Sequence, residues 1–132
     1  MTGSGAAPTL GARDGRLAPL PRRPNAVSSQ ADDPGRRVAP LHYAGDADAA
    51  WHRLRSVVEA MPRSRVVREE SGYLHAEFTS RIFRFVDDLE LLLDEDARVI
   101  HVRSASRVGH SDLGANRRRV EALRRAFESD VP

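Results

Sequence analysis

Apolar side chains change their spacing twice between residue 46 and the C-terminal region. From residue 46 to 61 they recur three and four apart, at Ala50, Trp51, Leu54, Val57, Val58 and Met61, which is one face of a helix. Asp46 stands where its side chain can cap the first turn, and Pro62 disfavours helical geometry at Met61. A second helix is predicted from Asp112 or Asn116 to Phe127, with Val120, Leu123 and Phe127 on one stripe. Between the helices the period falls to 2. Strands are predicted at residues 65–70, 73–79, 83–93 and 98–108, separated by Ser71-Gly72, a Ser80-Arg81 turn and an acidic loop at residues 94–97.

Register follows from side-chain alternation, because a slip of one residue moves every side chain to the other face. A loop at 94–97 pairs Leu91 with Ile100, Leu89 with Val102, Asp87 with Ser104 and Phe85 with Ser106. It sets Glu90 against His101 and Asp88 against Arg103 on the second face. A turn at Ser80-Arg81 pairs Phe78 with Phe83, Ala76 with Phe85 and Leu74 with Asp87. Adjacent Val66 and Val67 leave the first strand ambiguous, since both cannot point inward. The expected fold class is α+β: a four-stranded antiparallel meander with two helices packed on one face, preceded by an extended N-terminal strap. Tyr73, His75, Glu77, Arg84, Asp88, Glu90, His101, Arg103 and Arg107 are expected on the outer face.

Residues 1–23 show no sustained period and read as a flexible tail. Residues 24–45 read as a strap that buries Val27, Val38 and Leu41, residues 46–128 as the single domain, and 129–132 as a C-terminal tail. A chain of 132 residues suits one domain. No apolar run approaches the roughly 20 residues that span a bilayer, and no secretory signal is evident, so the expectation is a soluble, cytoplasmic protein without membrane insertion. The absence of cysteine excludes disulfides, thiolate metal sites and cysteine nucleophiles. All 21 basic residues are arginine, yet the net charge is only +2. The high isoelectric point, near 9.9, therefore reports missing lysine buffers and not a strong positive field. Charge is uneven along the chain: +3 over residues 1–45, −5 over 46–96 and +4 over 97–132.

Asp87 breaks the apolar pattern of its face, and a buried carboxylate must be paired or hydrogen-bonded. Ser104, Asn116, Arg119 or the strap residues Ser28 and Ser29 are its candidate partners. The structural reading is a polar network of Asp87, Ser104, Ser28 and Ser29. The catalytic alternative makes Asp87 an acid or base beside Ser104. Asp88 and Glu90 share a face, but each has a basic cross-strand neighbour, so a solvated salt-bridge ladder is expected. No histidine pair has one-turn helical spacing, and His75 and His101 sit two strands apart, about 9.6 Å. No metal and no cofactor are expected. The glycine-containing segment from Arg103 through Ser106, Arg107, Ser111 and Asp112 to Asn116 leads into a helix start, where backbone amides hold anions. Arg107 or Arg119 would add charge, while Asp112 would repel phosphate, and Ser111 or Asp112 as a helix cap explains much of the pattern. Aromatics make up only 5% of the chain and no base-stacking platform stands on the strands, so a nucleic-acid partner is not expected.

Pro24-Asn25 with Val27-Ser28-Ser29, Tyr73-Leu74-His75-Ala76-Glu77-Phe78, Phe83-Arg84-Phe85-Val86-Asp87-Asp88 and Ile100-His101-Val102-Arg103-Ser104-Ala105-Ser106-Arg107 form a long specific run. It continues through Gly109, Ser111-Asp112-Leu113-Gly114 and Asn116-Arg117-Arg118-Arg119. In these residues the chain resembles the bacterial and plastid family called domain of unknown function 1499, over about residues 10–127. The resemblance implies a polar network or ligand site on the last strand and the loop after it, and assigns no reaction. Many relatives carry cysteines near the positions of Leu20 and Ala26, so a thiol role of the strap cannot operate here. Some relatives are exported or membrane-tethered, and this chain shows no segment for either. Together these features are read as a non-enzymatic domain that binds a small anionic ligand or a protein partner through the loop at residues 107–116. Arg103, Ser106, Arg107, Ser111, Asp112, Asn116 and Arg119 are the candidate binding residues. The alternatives are a small hydrolase or isomerase-type enzyme using Asp87 and Ser104, or a structural component of a larger assembly.

Overall fold

The computed structural model describes residues 10–129. Its element order is β1 (Ala12–Arg13), β2 (Arg16–Leu17), β3 (Ala26–Ser28), β4 (Leu41–His42), α1 (Ala47–Ala60), β5 (Ser64–Glu70), β6 (Tyr73–Thr79), β7 (Val86–Asp94), β8 (Val99–Ser106) and α2 (Ala115–Ser129). Strands β5 to β8 form the antiparallel meander. The strap adds β3 and β4 along the free edge of β8, so the sheet has six strands where four were expected. The extra pairing satisfies backbone groups that an uncovered β8 would leave open.

Asp46 caps α1, its carboxylate accepting a hydrogen bond from the Ala49 amide at 2.9 Å. Both helices cover one face of the sheet. Ala50, Trp51, Leu54 and Val58 of α1 and Val120, Leu123 and Phe127 of α2 meet Leu74, Ala76, Phe78, Leu89, Leu91, Ile100 and Val102 in one core, closed by Val27, Val38 and Leu41 of the strap. Each large apolar side chain so buried contributes about 1.5–3 kcal/mol. A bulge in β5 between Val66 and Arg68 resolves the valine pair: Val66 packs on the core and Val67 faces out.

Both hairpin registers differ from expectation. The β7–β8 loop has the four residues foreseen but occupies 95–98, so Leu91 pairs with Val102, Leu89 with Ser104, Asp87 with Ser106 and Glu90 with Arg103. The slip is two residues and the faces are kept. Arg98 turns the corner at φ 57°, donates to the Gly45 carbonyl at 2.7 Å and covers the Tyr43 ring. The β6–β7 slip is four residues: Leu74 pairs with Leu91, Ala76 with Leu89 and Phe78 with Asp87. This sets apolar beside apolar and moves Asp87 from beside Leu74 to the end of the sheet. It requires a six-residue loop at 80–85, and lengthening a loop costs only about 0.6 kcal/mol per doubling. Phe83 is thereby an exposed loop residue and not a core strand residue. Phe83→Ser is accordingly expected to change stability by less than about 0.5 kcal/mol, whereas Phe127→Ala should cost about 3–5 kcal/mol. Paired urea titrations read both.

Over β7 and β8 the second face of the sheet is not open to solvent. Residues 10–23, expected as tail, cross it: β1 and β2 form a hairpin, Leu17 is buried, and the Gly11 amide donates to Glu90 at 3.1 Å. Arg103 donates to the carbonyls of Ala18 and Pro19, both at 3.0 Å. Residues 1–9 of the expected tail, and 130–132 at the other end, lie outside the described residues.

Candidate functional site

The loop at 80–85, the segment 108–114 and the start of α2 enclose an open cleft of about 440 Å3. Ser80 closes its loop by two bonds with Phe85, one from each backbone amide. On the floor, Arg119 pairs with Asp87 at 2.8 Å, lies 4.8 Å above the Phe78 ring centroid, and donates to Asn116 Oδ1 at 2.7 Å and Ser104 Oγ at 3.2 Å. Asn116 is fully buried; its Nδ2 reaches the Asn25 carbonyl, Ser106 Oγ and the Asp112 carboxylate. Strap, sheet and helix are thus tied at one side chain.

The start of α2 is already occupied. The Asp112 carboxylate accepts from the amides of Gly114 at 2.8 Å and Asn116 at 3.0 Å. Burial would raise its pKa, but these bonds outweigh it and hold the group below its ordinary value. The capping reading of Asp112 therefore displaces an anion at the helix start.

The cleft rim is apolar and basic. Ile82 is 80% exposed, Phe83 70%, Phe85 41% and Leu113 84%; the Phe83 and Phe85 rings stack at 5.5 Å. Among the described residues, Arg81 and Arg84 beside them make no side-chain hydrogen bond or ion pair, and the Arg63 side chain donates only to the Thr79 carbonyl. The sequence reading missed this rim because it placed Phe83 and Phe85 in a strand. The available signal was the Leu74–Leu91 and Ala76–Leu89 matching, which forces them into a loop.

The candidate residues divide between the two faces. Ser106, Ser111, Asp112 and Arg119 line the cleft with Asp87, while Asn116 and Ser104 are buried behind it. Arg103 and Arg107 are on the opposite face, under residues 10–23. There Arg107 grips Asp88 with two bonds of 2.8 Å and Glu77 with one of 2.7 Å, and His75 meets Asp88 at 2.7 Å. Arg103 stands 3.5 Å from Glu90, which also accepts from the Tyr73 hydroxyl. Asp88 and Glu90 are buried, so the solvated ladder expected here is an internal ionic layer. Burial lowers the pKa of Arg103 even against the opposing pull of Glu90, and raises that of Tyr73 together with the Glu90 bond. Nor do Ser28 and Ser29 join Asp87 or Ser104. Ser29 Oγ accepts from the Val102 amide at 2.9 Å and meets His101 Nδ1, while Ser28 Oγ accepts from the Gln30 amide. Register explains the separation: Asp87 lies opposite Ser106, two residues beyond Ser104.

Among the described residues no three histidine or carboxylate groups converge as metal ligands, and no helix is long and apolar enough to cross a membrane. Fold and site define a strapped α+β domain: two helices on one face of an antiparallel sheet, an ionic layer on the other, and an apolar-rimmed cleft at the sheet end. The chain belongs to the family described as protein of unknown function (DUF1499), whose model matches residues 16–127. No curated protein matches it.

Proposed function

We propose that this domain is a binding module whose cleft takes a protein segment bearing apolar and acidic side chains. The observation that carries this is the rim itself. Among the described residues, four of the five exposed large apolar side chains, Ile82, Phe83, Phe85 and Leu113, stand on the two loops around the cleft, next to arginines that meet no acidic partner there. Apolar surface gathered at one place marks a contact region more than scattered apolar residues do. Uncompensated guanidinium groups select carboxylates.

A small anion finds less support at the loop itself, because Arg103, Arg107 and Arg119 each already face a carboxylate and α2 is capped by Asp112. For the enzyme alternative, Asp87 lines the cleft, but Ser104 is fully buried and bonded to Asn116, out of reach of a substrate there.

Selection of a random peptide library on the folded protein, with Phe83→Ser/Leu113→Ser as counter-target, tests the proposal. Enriched peptides are expected to combine Asp or Glu with Leu, Phe or Trp and to lose binding on the counter-target. No enrichment, or equal enrichment on both proteins, would refute it.

A further inference from the structure

The opposite end of the sheet carries the complementary surface. There the first turns of α1, the end of β5, the β5–β6 turn and the β7–β8 loop enclose a second open cleft of about 580 Å3. Its walls include Asp48, Glu69, Glu70 and Glu95, and its apolar lining is Trp51 and Leu93. Among the described residues no arginine lines it. Glu69 is held by Arg55 and the Trp51 indole, and Glu70 by Arg68. Asp48 and Glu95 make no ion pair among the described residues.

Strand β6 runs the seven residues between the two ends, roughly 20 Å at the rise of an extended chain. The 80–85 loop of one molecule therefore cannot reach its own acidic cleft. Free arginines beside protruding apolar side chains sit at one end, and free carboxylates around an apolar floor at the other. Such an arrangement is satisfied when the loop of one copy enters the cleft of the next.

We propose that the protein associates with itself head to tail, the loop carrying Arg81, Ile82, Phe83 and Arg84 docking into the acidic cleft of a second copy. This rests on the reading of the basic, apolar rim as a binding surface, and names its partner. The contact joins two different surfaces, so it extends to rings or open chains as concentration rises. Built on one short loop, it belongs with small, weak interfaces, in which charge selects and steers the partner while the apolar side chains make the contact.

Sedimentation velocity over a wide concentration series tests it. At low salt the weight-average mass is expected to climb above the 14.6 kDa of one chain, and at about 1 M salt, where the Debye length is about 3 Å, to fall back to it. Trp51, the single tryptophan, lines the acidic cleft and should shift its emission over the same range. Arg81→Glu/Arg84→Glu and Asp48→Lys/Glu95→Lys are each expected to be monomeric alone. Mixed, they should associate, since each then finds an oppositely charged counterpart on the other. Restored association shows both variants folded. Phe83→Ser in both components should abolish it, whereas attraction by net charge alone would survive that change and overturn the proposal. A monomer at every concentration overturns it as well. If selected peptides still bind the rim in that case, the partner reading stands with a different occupant. A monomer that instead co-sediments with phosphatidylserine vesicles would overturn it in favour of a membrane surface.

Discussion

Arg107→Ala is expected to destabilise the fold by about 3–5 kcal/mol, the usual result of removing one partner from a buried ion pair. Asp88 is almost completely buried, and Arg107 gives it two of its three side-chain hydrogen bonds. Without the guanidinium the carboxylate keeps only His75. An exposed loop arginine, as the sequence alone suggests for this position, would cost less than about 0.5 kcal/mol, so a urea titration separates the two placements. Lysine should rescue only partly, because it cannot reproduce the two-pronged grip.

The pH dependence has a definite sign. Burial would raise the pKa of Asp88 and of Glu77, but hydrogen bonds from Arg107, with those of His75 to Asp88 and Arg65 to Glu77, outweigh it and lower both. Depressed carboxylates contribute stability in full above their unfolded values of about 4, and lose it as pH falls through the lower folded values. The wild type should therefore gain stability as pH rises from about 3 to 5. Arg107→Ala should gain less, because its Asp88 titrates higher. Denaturation midpoints across that window are the measurement.

Asn116→Ala is expected to cost about 3 kcal/mol or more, since buried groups left without partners cost about 1–3 kcal/mol each. The side chain serves the Asn25 carbonyl, Ser106, Asp112, Ser104 and Arg119 at once. Its loss should free the strap as well as weaken the start of α2, so amide hydrogen exchange is expected to rise together at residues 25–28 and 115–118. Asn116→Asp keeps an acceptor for Ser104 and Arg119 but sets a second carboxylate against Asp112. It should be destabilised at neutral pH and recover in part on acidification.

The helices were legible because amphipathic spacing is a local property: Trp51, Leu54 and Val58 declare a face whatever lies opposite. The meander was legible for the same reason, with period 2 in place of 3.6. Register was less so. Parity was readable, since a one-residue slip would bury charge, but slips of two or four leave every side chain on its face. Only pair matching over the whole sheet, Leu74 with Leu91 and Leu93 with Ile100, selects among them. One local signal went unread: Asp14-Gly15 has the left-handed backbone of a tight hairpin, with φ of 54° and 74°, and that dipeptide between two short strands marks such a turn.

Sequence by itself determined the class of fold, its two helices, the Asp46 cap, the inward faces of β6, β7 and β8, and the family. Those properties depend on neighbours within a few residues, or on patterns the chain repeats in the family. Tertiary structure alone decided which charged residues are buried. Glu90 and Arg103 have the composition of a solvent face and become interior only because residues 10–23 cross them. It likewise decided that the strap pairs with β8 and which of the candidate partners meets Asp87. Each is a long-range outcome, set by which segment covers which surface, and chain spacing carries no record of that.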